Sequence, residues 1–204
     1  AHGGQLAEPG APHMLRSLKR TLGSALCAFE FMSNRYVRLA CRLTGAVAPL
    51  PVEGAWHVLI EAAGNAGQPM EEALQAALEH AMETGEVSDC AIAASEAHRE
   101  AFWRIREAIP EVLTHLKPAA TLDIGLPWAR TGEYLKKVDA ELQAKLPAAE
   151  HLFLGHLGDN NLHLVSGAVD EAGVHEVDEI AYGALRGCGG TVSAEHGVGR
   201  LKKD

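Results

Sequence analysis

"HLFLGHLGDNNLHLVSG", residues 151–167, is the stretch on which the reading of this chain turns. Two apolar runs flank a short polar turn, and each run carries a histidine. With Asp159 and Asn160 as the central residues of a two-residue hairpin turn, Gly158 pairs with Asn161, Leu157 with Leu162, and His156 falls directly across from His163. Residues opposed on an antiparallel pair have Cβ atoms about 4.5–5.5 Å apart, so both imidazoles reach one divalent ion, and zinc suits that geometry. The competing reading is an incidental, solvated pair, because the chain holds 11 histidines. Gly155 and Gly158 mark places where backbone packs close to a ligand.

A catalytic metal needs a third protein ligand. The late segment "SAEHGVG", residues 193–199, supplies Glu195 and His196 in a loop whose glycines allow close backbone approach. Two histidines and one carboxylate leave an open coordination position, the arrangement of a catalytic site and not a structural one.

Around the hairpin, short strands alternate with helices. Helical spacing runs over Pro12–Leu22, 34–43, Met70–Thr84, Ser95–Leu113, Trp128–Leu146 and Val174–Arg186. Strand patterns cover 23–31, 56–64, Ser88–Ala94 and Thr121–Leu126, and the Gly/Pro-rich residues 1–12 read as a linker or tail. The pattern predicts an α+β fold with a mostly antiparallel sheet covered by helices on one face. A doubly wound parallel sheet is the rival, weakened because neither GxGxxG nor a GK[ST] phosphate loop follows the early strands. Pro110 removes the amide that bonds to the Arg106 carbonyl, which predicts a kink in the 95–113 helix. Arg106 itself flanks the stripe Phe102, Ile105, Ile109 and Val112, where a guanidinium can grip a carboxylate with two hydrogen bonds or pair with a neighbouring glutamate on the surface.

Composition narrows the function classes. A chain of 204 residues, 47% hydrophobic, buries a real core. Its net charge of −9 and 5% aromatic content argue against a nucleic-acid surface. No apolar run approaches the roughly 20 residues of a membrane helix, so no transmembrane segment is expected. Cys27, Cys41, Cys90 and Cys188 form no CxxC pair, which reads as a reducing cytoplasm. The chain opens without methionine and stops just past the Gly- and His-containing segment, and reads as a piece of something longer.

"GHLGDNNLHL" together with "SAEHGVGR" resembles the paired signature of the C-terminal, substrate-side domain of FAD-linked 2-hydroxyacid dehydrogenases of the vanillyl-alcohol oxidase superfamily. "SALCAFEFM", "HVLIEAAGNAG", "FWRIREAIPE" and "LDIGLP" follow in that family's order, so the resemblance covers residues 13–204. It implies a ferredoxin-like α+β cap domain, FAD held mainly by a flavin-binding domain of the same protein that this chain lacks, and a truncated C-terminus. Carried over by position, it implies metal ligands at His156, His163 and Glu195, a catalytic base at His196 and a substrate-carboxylate ligand at Arg106. The implied partners are a small 2-hydroxyacid, an electron acceptor the sequence does not name, and a second copy of the chain as a homodimer. The branch acting on D-2-hydroxyglutarate carries a threonine, a lysine and an asparagine where this chain has Pro110, Thr121 and Val165. Losing those polar groups removes donors that a second substrate carboxylate needs. A metal-dependent hydrolase using the same ligands, and a noncatalytic α+β interaction module, are the readings carried beside the dehydrogenase.

Overall fold

The computed structural model describes residues 2–6, 11–52, 56–64, 70–167 and 169–195. Two compact units divide the chain, residues 1–109 and 110–204.

In the first unit four strands pair antiparallel: β1 (His2–Leu6), β2 (Leu26–Ser33), β3 (Trp56–Ala62) and β4 (Val87–Ile92), in the order β4-β1-β3-β2. With helices α1 (Ala11–Leu22) and α3 (Met70–Glu83) as crossovers, this is the βαββαβ order of a ferredoxin-like sheet, and a helix α2 (Asn34–Thr44) is inserted between β2 and β3. The expected α+β, ferredoxin-like class is therefore what forms. One element departs from the sequence reading. Part of the stretch read as a tail forms β1, which pairs with both β3 and β4 and so joins the sheet's two halves. Glycine-rich residues carry little strand signal of their own, and tertiary pairing decides such a segment.

Local chemistry explains the helix boundaries. Ser33 caps α2 by accepting a bond from the Tyr36 amide at 3.4 Å, and Gly45, at φ 70°, closes it in the left-handed conformation. Ser95 caps α4 (Glu96–Arg106) by accepting from the His98 amide at 3.2 Å. The predicted kink at Pro110 is a full break: α4 ends at Arg106 and a new helix, α5 (Ile109–His115), takes Pro110 into its first turn. The Arg106 carbonyl that loses its helical partner accepts instead from the Tyr36 hydroxyl at 2.8 Å, with the Ile105 carbonyl 3.0 Å from the same oxygen. Tyr36 is wholly buried.

The second unit holds β5 (Ala119–Gly125), β6 (Glu150–His156) and β7 (Asn161–Gly167), antiparallel in the order β6-β7-β5. Side chains alternate across the strands with period two. Leu122, Ile124, Phe153, Leu162 and Leu164 share one face, buried, and α6 (Trp128–Lys145) and α7 (Glu171–Leu185) supply Tyr134, Val138, Leu142, Val177, Ile180 and Ala181 to the core. Tyr134 donates to the Ala181 carbonyl at 3.0 Å and locks the two helices together. On the core face His151 is also wholly buried, its ring nitrogens bonded to Ser166 Oγ and the Leu146 carbonyl.

The hairpin register differs from the two-residue turn. A 3-10 turn over Leu157–Asp159 and Asn160, at φ 60°, make a four-residue connection, so His156 pairs with Asn161 and His163 with Leu154. Asparagine is among the few non-glycine residues that adopt the left-handed conformation readily, and the Asn160 side chain is held by accepting from the distant Trp128 amide at 3.2 Å. The pairing has moved by two residues, an even number, so both histidines stay on the same face.

His57 is buried in the first unit and lines an apolar cavity with Met32, Val37, Leu50, Phe102 and Ile105. Burial lowers its pKa from the ordinary 6.5 to about 4. The folded chain thus resists a proton that the unfolded chain accepts, and stability, complete above pH 6.5, falls as the pH drops toward 4. Urea unfolding at about pH 7 and pH 5 should show a smaller loss in His57→Gln than in the parent chain, since the variant has no imidazole to protonate.

Candidate metal centre

The strand face that carries His156, His163 and Asp123 is where the site forms. Along it run three cross-strand rows: Gly125, Asn161 and His156; Asp123, His163 and Leu154; Thr121, Val165 and Leu152. His156 and His163 are therefore diagonal neighbours, their rings edge to face at 88° with centroids 5.5 Å apart. Both are partly exposed, as a ligand that meets solvent or substrate requires.

Glu195 reaches them from 32 residues beyond His163, and Gly125 explains how. Its amide donates to the Thr191 carbonyl at 3.0 Å and its carbonyl accepts from the Thr191 amide at 2.6 Å, which docks the 191–195 loop onto the end of β5. A Cβ at position 125 would collide with the Thr191 hydroxyl, so only glycine permits the approach. One ligand atom from each of His156, His163 and Glu195 then lies within 4.8 Å of the other two. Tetrahedral zinc with nitrogen and oxygen ligands sets such atoms about 3.4 Å apart, a short closure from the observed spread.

The donor set fits a divalent cation on chemical grounds as well: two imidazoles and a carboxylate, on one face, with an open side. A second observation marks this face as a site. Asn161 is 2% exposed, directly across from His156, and neither atom of its amide has a hydrogen-bond partner among the described residues. Buried amides are satisfied as a rule, so the Asn161 amide beside His156 is a polar group available to a bound molecule.

Sequence reasoning missed Asp123. It is 4% exposed, and its Oδ2 accepts from the Ser193 hydroxyl at 3.2 Å, the Ala194 amide at 3.2 Å and the Glu195 amide at 2.9 Å. The signal was available: an aspartate inside the apolar strand "ATLDIGL" needs a reason to be buried. Burial first, then the charges of Asp178 and Asp123, raise the Tyr182 phenol to about 12.

The other predicted residues lie elsewhere. Arg106 belongs to the first unit and is buried, its Nε donating to Glu30 Oε2 at 2.8 Å across 76 residues of sequence, in place of the surface pair with a neighbour. His196 falls outside the described residues. Glu195, its chain neighbour, is exposed.

Residues 10–204 match the family described as FAD linked oxidases, C-terminal domain, and the chain belongs to that family. Among curated relatives it is 35% identical over 203 residues to the mitochondrial D-2-hydroxyglutarate dehydrogenase of Bos taurus, covering 96% of this chain and 36% of that protein. The D-2-hydroxyglutarate dehydrogenase of Stutzerimonas stutzeri is 31% identical over 186 residues, 88% of this chain and 40% of the relative. The chain thus spans well under half the length of these relatives. Among solved structures it superposes on alkyldihydroxyacetonephosphate synthase with a TM-score of 0.65 at 9% identity, covering 94% of this chain and 39% of that one. At that identity the likeness establishes the fold.

Removing one partner of a buried ion pair leaves the other charge uncompensated. Glu30→Ala is expected to cost roughly 3–5 kcal/mol in urea unfolding, and Glu30→Gln, which retains an acceptor for Arg106, distinctly less.

Proposed function

We propose that this chain is the substrate- and metal-binding domain of an FAD-dependent dehydrogenase that oxidises a D-2-hydroxyacid to the 2-oxoacid. The observation that carries the reading is the convergence of His156, His163 and Glu195 on one face of a chain in the FAD-linked oxidase family. Relatives named as D-2-hydroxyglutarate dehydrogenases support the reaction class.

His156, His163 and Glu195 would hold a divalent cation, zinc by their chemistry, which would supply Lewis-acid polarisation of the substrate's hydroxyl and carboxylate. FAD, held mainly by a flavin-binding domain of the full-length protein, would supply the two-electron acceptor for the substrate's Cα hydrogen when bound. What the chain's own residues do is bind, orient and move a proton. His196, following Glu195 directly, takes the hydroxyl proton on an imidazole nitrogen. By its place in the family's motif Arg106 is proposed as a substrate-carboxylate ligand, a role that requires it to exchange its buried pairing with Glu30 for the substrate. The electron acceptor is a separate partner, and a homodimer is the assembly proposed. Among the described residues no helix is long and apolar enough to cross a membrane, and the four cysteines are free thiols, which supports a reducing compartment; cytoplasmic residence is the proposal, though several relatives are named as mitochondrial.

The substrate's side chain is the point of divergence from those relatives. Thr121 and Val165 are cross-strand partners, one row from Asp123 and His163. That row offers one hydroxyl and an isopropyl group where a second carboxylate requires cationic or amide donors. The expected preference is for a 2-hydroxyacid with a single carboxylate.

Metal content, flavin spectra and substrate preference test this. Elemental analysis after exposure to zinc should find near-stoichiometric metal in the parent chain and background in His163→Ala. In the flavin-containing full-length protein, a D-2-hydroxyacid should bleach the flavin absorbance while its L form leaves it unchanged; ester hydrolysis abolished by a chelator would instead favour a metal-dependent hydrolase. In that full-length protein, Thr121→Lys combined with Val165→Asn should raise kcat/KM for D-2-hydroxyglutarate relative to D-2-hydroxybutyrate by about tenfold or more, the scale of one charge-assisted contact.

A further inference from the structure

We propose that Asp123 is the positioning residue of the metal centre, one buried carboxylate that sets the two ligands contributed by distant parts of the chain. This inference rests on the metal reading of the site. Asp123 shares a cross-strand row with His163, and its Oδ1 lies 3.9 Å from His163 Nδ1, facing that nitrogen from beyond hydrogen-bond range. Its other oxygen gathers the Ser193 hydroxyl and the Ala194 and Glu195 amides at 2.9–3.2 Å. One side chain therefore faces a histidine ligand with one oxygen and fixes the backbone of the carboxylate ligand with the other.

The physical case has three parts. First, a metal-bound imidazole is held by a partner on its second nitrogen, which sets ring orientation and raises ligand basicity; with Nδ1 turned toward Asp123, Nε2 is the nitrogen left for a cation. Second, Glu195 is exposed and sits on a loop, so without a tether its ordering on binding would cost entropy. Two backbone bonds at Gly125 dock the loop's start, but they lie four residues before Glu195. The Asp123 bonds fall on residues 193, 194 and 195 themselves. Third, a carboxylate that is 4% exposed is retained at a desolvation cost, and three donors to one oxygen are what offset it.

Asp123→Asn is nearly isosteric, loses the charge facing His163 and leaves a single acceptor oxygen for either side. Zinc affinity of the full chain, measured at 25 °C by competition with a chelating dye, is expected to fall about 10- to 100-fold, as it does when a carboxylate behind a metal-bound histidine is removed. Hydrogen exchange in metal-free protein supplies an independent readout: the Ala194 and Glu195 amides should lose protection in Asp123→Asn while amides in the β6–β7 pairing keep theirs. Ser193→Ala, at a half-buried position, removes one of the three donors without burying a new group and should weaken zinc about fivefold. It keeps the test decisive should Asp123→Asn fail to fold. A role confined to stability would lower the unfolding midpoint of Asp123→Asn yet leave zinc affinity and loop exchange at parental values, and that result overturns the proposal. Failure of the parent chain to bind zinc at all is a different outcome, which removes the metal reading on which the proposal stands.

Discussion

Alternation of side chains across β5, β6 and β7 is the constraint from which the second unit's chemistry follows. Because neighbouring residues point to opposite faces, one set of positions carries Leu122, Ile124, Phe153, Leu162 and Leu164, and the interleaved set carries His156, Asn161, His163 and Asp123 beside the buried Leu152, Leu154 and Val165. Every polar group discussed here on those three strands depends on that parity. A shift of one residue would exchange His163 and Asp123 with Leu162, Leu164 and their apolar neighbours between the two faces, so the packing of both faces holds one register. Packing thus places the two histidines on one face.

The same economy appears at the 191–195 loop. Gly125 admits a second backbone because it has no Cβ, and Asp123, two residues earlier on the same face, receives the loop's donors. A short stretch of β5 therefore does for Glu195 what the hairpin does for the histidines. In the first unit the equivalent tie is Tyr36. Its hydroxyl meets the Ile105 and Arg106 carbonyls at the end of α4, and Arg106 then closes a buried pair with Glu30. In both units a single polar side chain repairs a place where regular secondary structure stops, which is where buried backbone groups would otherwise go unsatisfied.

How much of this could be read in advance differs by residue. His156 and His163 were legible because they are close in sequence and the strands that carry them alternate cleanly. Their exact cross-strand partners were not: a two-residue and a four-residue turn are both consistent with "LGDNN", and only the 3-10 turn with Asn160 at positive φ selects the second. The ligand pair survived the mistake because the two registers differ by an even number of residues. Glu195 could be named from its motif, but not its path to the histidines. Asp123 was passed over since a lone aspartate in a strand gives no local sign of three donors arriving from 70 to 72 residues away. His2–Leu6 was passed over for the opposite reason: glycine-rich residues have weak strand preference, and two neighbouring strands supply the pairing that makes them one.

The amino-acid sequence by itself determined the fold class, the family, the spacing of helices and strands, and the chemical types available to a site, because periodicity, capping residues and short motifs act within a few residues of chain. Tertiary structure alone decided the hairpin register, the membership of β1 in its sheet, the pairing of Arg106 with Glu30, and the convergence of Glu195 and Asp123 on the histidines. Those outcomes depend on contacts between residues tens of positions apart, where burial and hydrogen-bond satisfaction across the whole unit outweigh any local preference.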